Sequence, residues 1–521
     1  CTWDIDAQPG SPLTLTYEVY AFDNSVRTAW LDGTRGFANG TSLCLRVIGQ
    51  EDRPHRVDFQ PPAERPAWKL ATGLAPVKTT RRGFGQYLAA DYDELVDCPV
   101  EMGEFWQGDF KAAGIPHVLV VAGAAGSMDA ERLLADTRRI CEEAIRFWHG
   151  HGKPPFSRYV FMLNLVDDGY GGLEHRNSTA LIASRRDLPR LGEARAPEGY
   201  VTLQGLISHE YFHTWNVKRI KPAAFTPYDL ARENHTRLLW AFEGFTSYYD
   251  DLALVRSGVI GIDDYLGLLG KTIANVLRGS GRLKQSVAES SFDAWTKYYR
   301  QDENAPNAIV NYYAKGALIA LALDLQLRAG SEGVVSLDDV MRLLWRRHGL
   351  TGVGVPEDGI FAAVRDAGGE RLGARLAKWL QKAVDGCEDL PLARLLRPFG
   401  VSLRAEAAGT APVLGMKLGG GSGEAKVANV YDDGPAQAAG VSAGDVLIAL
   451  DGLRISSAKG LEDLLARRGA GDEVELHLFR RDELMSFRAV LAAPPAERQE
   501  LKLAPRADSA AAKLRRGWLG G

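Results

Sequence analysis

Apolar and polar residues alternate in the first part of the chain. LTLTYEVYAF (13–22) alternates apolar and polar residues and SLCLRVIG (42–49) does so more weakly, with the turn-rich piece LDGTRGFANGT between them. A period of two is typical of half-buried strands. Residues 1–112 are therefore predicted to form an antiparallel β domain. We expect this domain to be incomplete at its start, because the chain begins at Cys1 without a methionine.

The pattern changes from residue 113 onward. IPHVLVVAGAAG (115–126) predicts a buried strand, and DAERLLADTRRICEEAIRFWHG (129–150) predicts a helix capped by Ser127 or Asp129. RYVFMLNLV predicts a further strand, and DDGYGGLEH after it a glycine turn. Apolar residues then recur at helical spacing to about residue 385. Residues 113–400 are predicted to be a mostly helical domain with a small sheet at its front.

The last part of the chain returns to short strands with one helix. Residues 386–412 have the composition of a connector, and residues 405–495 are predicted to form a compact domain. Residues 496–521 are rich in alanine and charge and are predicted to be a partly mobile tail. The fold class is therefore multidomain α+β.

Composition excludes several classes of partner. The net charge of −4 gives no reason to expect nucleic acid or an anionic membrane surface. The most apolar stretch, GALIALALDLQLR, is interrupted by Asp324 and predicts a buried helix, so no integral membrane segment is expected. The five cysteines are widely spaced, without a CxxC motif, and predict free thiols: Cys1, Cys44, Cys98, Cys141 and Cys387. Free thiols favour a cytoplasmic location, and a periplasmic one stays open because the natural N-terminus is missing.

The most informative motif is HEYFH, residues 209–213. Two histidines four residues apart lie on the same face of a helix. That spacing lets His209 and His213 bind one zinc ion while Glu210 acts as general base. The alternative is a helix whose histidines only make hydrogen bonds in the core, but a buried glutamate beside them would then be costly.

A catalytic zinc ion needs a third protein ligand. Glu243 is the strongest candidate because it lies in the apolar, aromatic stretch LLWAFEGFTSYYDDLAL, where a buried carboxylate needs a cation. Other carboxylates follow the motif and stay as alternatives: Asp229, Glu233, Asp250 and Asp251. The oxyanion that develops during hydrolysis needs a donor, and Tyr312 and Tyr313 in NYYAKG are candidates.

These motifs resemble those of the glycyl aminopeptidases, bacterial zinc metallopeptidases related to the alanyl aminopeptidases. HEYFHTWNVKRIKP, WAFEGFTSYYDDL and YYAKGALIALALDLQLR carry the resemblance, as do YDELVDCPVEMGEF and the order of the domains. The resemblance implies a thermolysin-like catalytic domain and one zinc ion per chain bound by His209, His213 and Glu243. It also implies that Glu210 is the general base and that Tyr313 stabilises the oxyanion, with Tyr312 as a second candidate.

GGLEH resembles the glycine-containing strand with which aminopeptidases hold a peptide. The resemblance implies that Gly171 and Gly172 line the peptide and that Glu174 binds its free amino group. The chain has Leu-Glu-His where those enzymes typically have Met-Glu-Asn. It also departs from thermolysin, because Ser247 stands where an aspartate would orient a histidine ligand.

The compact domain near the C-terminus resembles a bacterial PDZ domain, on the pieces DDGPAQAAG, GVSAGDVLIALDG and GLEDLLARR. Val413, Leu414, Gly415 and Met416 fall at the loop that binds a terminal carboxylate. The groove could bind a peptide C-terminus or could pack on the catalytic domain.

The expected activity is zinc-dependent release of small N-terminal residues, glycine or alanine, from peptides with a free N-terminus. That preference rests on the resemblance. One alternative is a zinc endopeptidase that recruits protein C-termini through its PDZ domain. The other is a non-catalytic PDZ binding protein on a protease scaffold.

Overall fold

The structure is a computed structural model, and it describes residues 2–8, 10–124, 126–194, 197–407, 409–419, 424–506 and 508–520. The chain divides into two compact units. The first, the sheet unit, comprises Cys1–Leu134 and Phe156–Gly199. The second, the helical unit, comprises Ala135–Pro155 and Tyr200–Gly521.

The sheet unit contains three antiparallel or mixed sheets, with strand orders β1-β2-β7-β4, β3-β6-β5 and β11-β12-β10-β9-β8. Its elements are β1 (Ala29–Leu31), β2 (Arg35–Ala38), β3 (His55–Phe59), β4 (Lys69–Thr72), β5 (Ala75–Thr79), β6 (Gly85–Ala89), α1 (Tyr92–Val96), β7 (Val100–Gly103), β8 (Trp106–Ala112), β9 (Ile115–Ala122), the start of α2 (Ala130–His149), β10 (Tyr159–Val166), β11 (Tyr170–Glu174) and β12 (Ser178–Ser184). The predicted boundary between residues 112 and 113 falls in the turn that joins β8 to β9.

The strands predicted at 13–22 and 42–49 are wrong. Neither segment forms a strand, and the side chains of Leu13, Leu15 and Tyr20 are exposed. Alternation makes a segment suitable for a sheet, but a strand also needs a hydrogen-bonded neighbour. Of the described residues in these two segments, only Phe22 makes a bridge, to Trp30. The piece predicted as a turn instead supplies β2 and the last residue of β1.

Other sequence predictions for this unit are confirmed. β9 and β10 are almost wholly buried and pair in parallel. Asp129 caps α2, because its side chain accepts a hydrogen bond from the backbone N–H of Arg132. The predicted glycine turn is confined to residues 167–169, where the chain reverses between β10 and β11, and residues 170–174 are β11, the edge strand that pairs antiparallel with β12.

The helical unit is built around two buried helices, α4 and α8. Its helices, after the rest of α2, are α3 (Glu198–Phe212), α4 (Leu239–Arg256), α5 (Ile262–Arg278), α6 (Val287–Phe292), α7 (Ala305–Ala308), α8 (Tyr312–Gly330), α9 (Leu337–Leu344), α10 (Gly359–Gly368), α11 (Ala374–Asp385) and α12 (Leu392–Leu396). Both α4 and α8 are apolar nearly all round, as expected for helices surrounded by others.

A glycine pair brings α4 and α8 into backbone contact. A Cβ atom on Gly244 would lie 2.5 Å from the Cα of Gly316, and one on Gly316 would lie 2.5 Å from the carbonyl oxygen of Trp240. No larger residue fits at either position without separating the helices. Because Glu243 precedes Gly244 and Tyr313 lies one turn before Gly316, this contact fixes the distance between the helices that carry them.

The segment Ala305–Gly330 is long and apolar enough to cross a membrane by composition alone. In the protein, 72% of its most apolar window is buried against neighbouring elements. This burial is that of a core helix, in agreement with the sequence prediction for GALIALALDLQLR.

The helical unit also includes the PDZ domain, a sheet of order β14-β15-β16-β18-β19 with β17 paired to β16. The remaining elements, in chain order, are β13 (Val401–Glu406), β14 (Met416–Leu418), β15 (Ala425–Val430), α13 (Pro435–Ala439), β16 (Val446–Leu450), β17 (Leu453–Arg454), α14 (Ala458–Leu465), β18 (Glu473–Arg480), β19 (Glu483–Val490), β20 (Arg498–Leu503) and α15 (Ser509–Leu519).

Polar contacts attach the PDZ domain to the helices. Asp432, in the turn after β15, accepts hydrogen bonds from Ser280 Oγ and Lys284 Nζ. Asn307 Nδ2 donates to the carbonyl oxygen of Val430 at 2.8 Å. The domain therefore packs on the catalytic region through the end of β15.

The segment predicted as a mobile tail is an integral part of the helical unit. β20 pairs with β13 over six residues, and α15 places Trp518, fully buried, against Tyr265 and Phe399. The sequence signal was misleading because the apolar residues of this segment are few, although one of them is the tryptophan that the core encloses.

Candidate active site

The residues of the HEYFH motif and Glu243 converge inside the helical unit. α3 presents His209, and His213 follows in the turn that ends the helix. The Nε2 atoms of the two histidines are 3.0 Å apart. Glu243 Oε2, from α4, lies 3.4 Å from Nε2 of His209 and 3.1 Å from Nε2 of His213. Two imidazole nitrogens and one carboxylate oxygen therefore face a common point.

Each histidine is oriented through its other ring nitrogen. His209 Nδ1 lies 2.9 Å from Asp250 Oδ2, and His213 Nδ1 lies 2.7 Å from the carbonyl oxygen of Asn216. Hydrogen bonds to these acceptors hold a proton on each Nδ1, so Nε2 is the nitrogen of each ring that faces Glu243. The side chain of Asn216 is held in turn by Thr246 and the carbonyl oxygen of Phe242.

Sequence reasoning left this support unassigned. It sought an aspartate at position 247, four residues after Glu243, and considered Asp250 only as a zinc ligand. Asp250 lies seven residues after Glu243, two turns along the same face of α4. This helical spacing of seven residues was the signal in the sequence that could have identified Asp250 as the partner of His209. Asn216 orients His213 through its backbone carbonyl oxygen. Every residue has such a carbonyl, so the residue type at position 216 gives no sign of this contact.

The charges of the site favour a cation. Burial lowers the pKa of His209, but the hydrogen bonds that its ring donates to Asp250 and Glu243 outweigh burial and hold that pKa well above its usual range. Burial raises the pKa of Glu243, but the charges of His213 and His209 outweigh it and hold that pKa far below its usual value. The buried carboxylates of Asp250 and Glu243 therefore stabilise a positive charge at this position.

Glu210 is buried near His213, with 5% of its surface exposed. One of its carboxylate oxygens lies within 4.8 Å of a ring nitrogen of His213. Glu233, one of the alternative third ligands, is an exposed loop residue, and Asp229 bonds to neighbouring loop residues.

The two candidate tyrosines lie in different surroundings at the start of α8. The ring of Tyr313 stacks beside that of His209, with centroids 6.3 Å apart. Burial and the charge of Glu243 raise the pKa of Tyr313 well above its usual value, so its hydroxyl stays protonated and able to donate. Tyr312 is fully buried and packs on Tyr298.

The residues of GGLEH belong to the sheet unit. Gly171, Gly172 and Glu174 lie half-buried on the edge strand β11. The residue after Glu174 is firmly anchored, because His175 Nδ1 lies 3.1 Å from Asp97 Oδ1 and the backbone N–H of Arg176 donates to Asp97 Oδ2. This strand is thus held at the end that carries the glutamate.

The PDZ domain has an apolar groove of about 600 Å³ beside the predicted carboxylate loop. Its lining includes Leu414, Met416, Leu418, Leu461, Leu465 and Arg278, the last from α5. Gly415 has a φ of +70°, which turns the loop before β14, and β14 is an edge strand. Tyr431, which precedes the docking residue Asp432, also lines the groove, so the groove adjoins the face that contacts the helices.

Comparison with known proteins agrees with this geometry. Residues 202–319 match a family model described as M61 glycyl aminopeptidase, residues 1–104 the peptidase M61 N-terminal domain, and residues 412–491 a PDZ domain. A crystal structure of an aminopeptidase N family protein from Idiomarina loihiensis is 41% identical, with a TM-score of 0.91 over 96% of this chain and 85% of that one. The chain belongs to the M61 glycyl aminopeptidase family. It is a peptidase with the three-part organisation expected from the sequence.

Weaker likenesses extend to another peptidase group. The M1 zinc metallopeptidase of Deinococcus radiodurans is 16% identical, with a TM-score of 0.46 over 72% of this chain and 75% of that one. A mutant of that enzyme bound to a Tyr-Ser-Ala substrate is 15% identical, with a TM-score of 0.45 over 72% and 76%. No curated protein matches the chain.

Proposed function

We propose that this M61 family member is a zinc-dependent aminopeptidase that removes small N-terminal residues, glycine or alanine, from peptides. The observation that carries the proposal is the convergence of His209, His213 and Glu243 beside the buried carboxylate of Glu210. The preference for small residues rests on the resemblance to the glycyl aminopeptidases.

The donor set fits zinc. Two neutral imidazole nitrogens with one carboxylate oxygen are the ligands of many catalytic zinc sites, which keep a further position open. Both imidazoles have acceptors on Nδ1, as metal-bound histidines usually do. We therefore propose one zinc ion per chain at these three residues.

The chain's own residues then have defined tasks. Zinc, when bound, polarises the scissile carbonyl and makes water more acidic. Glu210 takes a proton from the attacking water and delivers it to the leaving amine nitrogen. Tyr313 donates its hydroxyl hydrogen to the developing oxyanion. Asp250 and Asn216 keep the two imidazoles in the tautomer that binds metal.

Glu174 is proposed to bind the free amino group of the peptide, with Gly171 and Gly172 along its backbone. A carboxylate that pairs with the terminal ammonium selects for chains with a free N-terminus. The anchoring of His175 and Arg176 on Asp97 supports this role, because it limits the movement of the adjoining strand.

A panel of aminoacyl amides, each with a free or an acetylated amino group, tests the proposal. We expect chelator-sensitive release from glycyl and alanyl amides, and none from the acetylated forms. Glu174→Ala is expected to lower kcat/KM for free-amine substrates by about 10²-fold, the loss of a charge-assisted hydrogen bond of about 1.5–3 kcal/mol, with zinc content unchanged. Glu174→Gln is the matched variant that keeps the size of the side chain.

Equal cleavage of acetylated and free peptides would point instead to the endopeptidase alternative. In that case the PDZ groove gains importance, because its apolar lining, the loop Val413–Met416 and the open edge of β14 are suited to a peptide C-terminus. We propose such a peptide as the groove's partner in either case.

Asp250→Asn tests the support of His209. An asparagine fills the same space but no longer offers a negative acceptor to the imidazole N–H, so zinc affinity is expected to fall about 10–100-fold. Competition titration against a chelator of known affinity measures the change. Asp263→Asn, on the exposed face of α5, is the control. Equal zinc affinity in Asp250→Asn and wild type would refute the assignment.

A further inference from the structure

Three tyrosine hydroxyls form a connected group at the start of α8. The hydroxyl oxygens of Tyr299 and Tyr313 are 2.9 Å apart. Tyr312, from inside the core, donates to Tyr299 at 3.4 Å. Tyr299 lies in a short 3-10 turn, Tyr298–Arg300, that precedes α7. Its hydroxyl is therefore within hydrogen-bonding distance of both tyrosines that the sequence offered as oxyanion donors.

We propose that Tyr299 is a positioning residue for Tyr313: its hydroxyl fixes the Tyr313 hydroxyl and donates to it during hydrolysis. This inference rests on the proposed function, in which Tyr313 donates to the oxyanion. A hydroxyl has one proton and two acceptor sites. When Tyr313 donates its hydroxyl hydrogen to the oxyanion, the Tyr313 oxygen can still accept a hydrogen bond. The Tyr299 hydroxyl is placed to donate that bond.

Such a chain strengthens the donor at its end. Hydrogen bonds in series polarise one another, so a phenol that accepts a hydrogen bond becomes a better donor. Tyr312 donates to Tyr299, Tyr299 to Tyr313, and Tyr313 to the oxyanion. This order gives all three tyrosines a part and makes Tyr313, whose ring lies beside His209, the one that contacts substrate.

Because Tyr299 is exposed, the effect of its hydroxyl can be measured without disturbing the packing of the core. Its side chain is 54% exposed, whereas Tyr312 has no exposed surface. Removing the hydroxyl of an exposed tyrosine while keeping its ring leaves the core unchanged. Tyr298 is the matched control, because it occupies the same turn and stacks on Tyr313 through its ring, with centroids 5.7 Å apart.

A double-mutant cycle of Tyr299→Phe and Tyr313→Phe tests the inference. Tyr313→Phe alone is expected to lower kcat about 10²–10³-fold, as the loss of an oxyanion donor does. Tyr299→Phe alone is expected to lower kcat about tenfold with KM unchanged, the worth of one hydrogen bond. In the Tyr313→Phe background, Tyr299→Phe should have no further effect. Tyr298→Phe should keep the wild-type kcat.

Binding gives a second measurement that does not depend on turnover. A phosphinic dipeptide, whose tetrahedral oxygen mimics the oxyanion, is expected to bind Tyr299→Phe about tenfold more weakly by calorimetry. Independent, multiplicative losses in the double variant overturn the inference, as does a raised KM with unchanged kcat, which makes Tyr299 a substrate contact. Wild-type protein without chelator-sensitive hydrolysis instead overturns the proposed function, and this inference with it.

Discussion

Glu210→Gln is expected to abolish peptide hydrolysis while zinc content stays at one ion per chain. Glutamine fills the same buried space but cannot take a proton from water, and a positioned general base contributes about 10²–10⁴-fold to the rate. The proposed ligands His209, His213 and Glu243 are unchanged, so the metal should remain. Steady-state turnover of a glycyl amide and elemental analysis of the same sample give the two measurements.

The control is Glu233→Gln, an identical replacement at an exposed loop position near the motif. It should retain wild-type turnover. Hydrolysis by Glu210→Gln at the wild-type rate would exclude Glu210 as the base. A simultaneous loss of zinc from that variant would mean that Glu210 supports the metal and not the proton transfer.

Trp518→Ala is expected to lower the free energy of unfolding by about 3–5 kcal/mol, the usual cost of removing a buried aromatic ring. The indole is fully buried and its Nε1 donates to Tyr248 Oη at 3.0 Å. The end of α15 is bound by two arginines: Arg256 Nη2 donates to the carbonyl oxygen of Trp518 at 2.9 Å and Arg328 Nη1 to that of Gly517 at 2.6 Å.

These guanidinium groups meet the negative end of the helix dipole. They are themselves held by Asp324 and Asp338, so the last helix completes a buried ionic network. Urea unfolding at equilibrium measures the loss, and Arg516→Ala on the exposed side of α15 is the control, with a change within about 0.5 kcal/mol. Equal unfolding midpoints for the two variants would mean that α15 contributes little.

The sequence predicted which side chains converge better than it predicted the strands of the sheet unit. His209, His213 and Glu243 could be found because their chemistry restricts both residue type and helical spacing. The sequence did not predict which strands pair with each other or which segments the core encloses. Residues 13–22 alternate apolar and polar side chains but pair with a neighbour only at Phe22, whereas β2 arises from a segment rich in turn residues.

Contacts between residues distant in sequence explain the rest. Asp250 was among the candidate carboxylates. Whether it binds zinc or accepts a hydrogen bond from Nδ1 of a histidine depends on how α3 and α4 cross. The same holds for Trp518, which enters the core only because β20 pairs with β13, about a hundred residues earlier. Local pattern carries no information on either arrangement.

The glycine pair between α4 and α8 has a consequence for anyone who engineers this enzyme. Glycine-to-alanine replacement in a helix is a common route to heat-resistant variants, because alanine restricts the unfolded chain. At Gly244 or Gly316 the added methyl group would push the two helices apart and displace Glu243 from its partners. At Gly267, exposed on α5, nothing lies within 4 Å of the new atom. A consensus or directed-evolution library for this protein should therefore vary Gly267 and leave the α4–α8 crossing untouched.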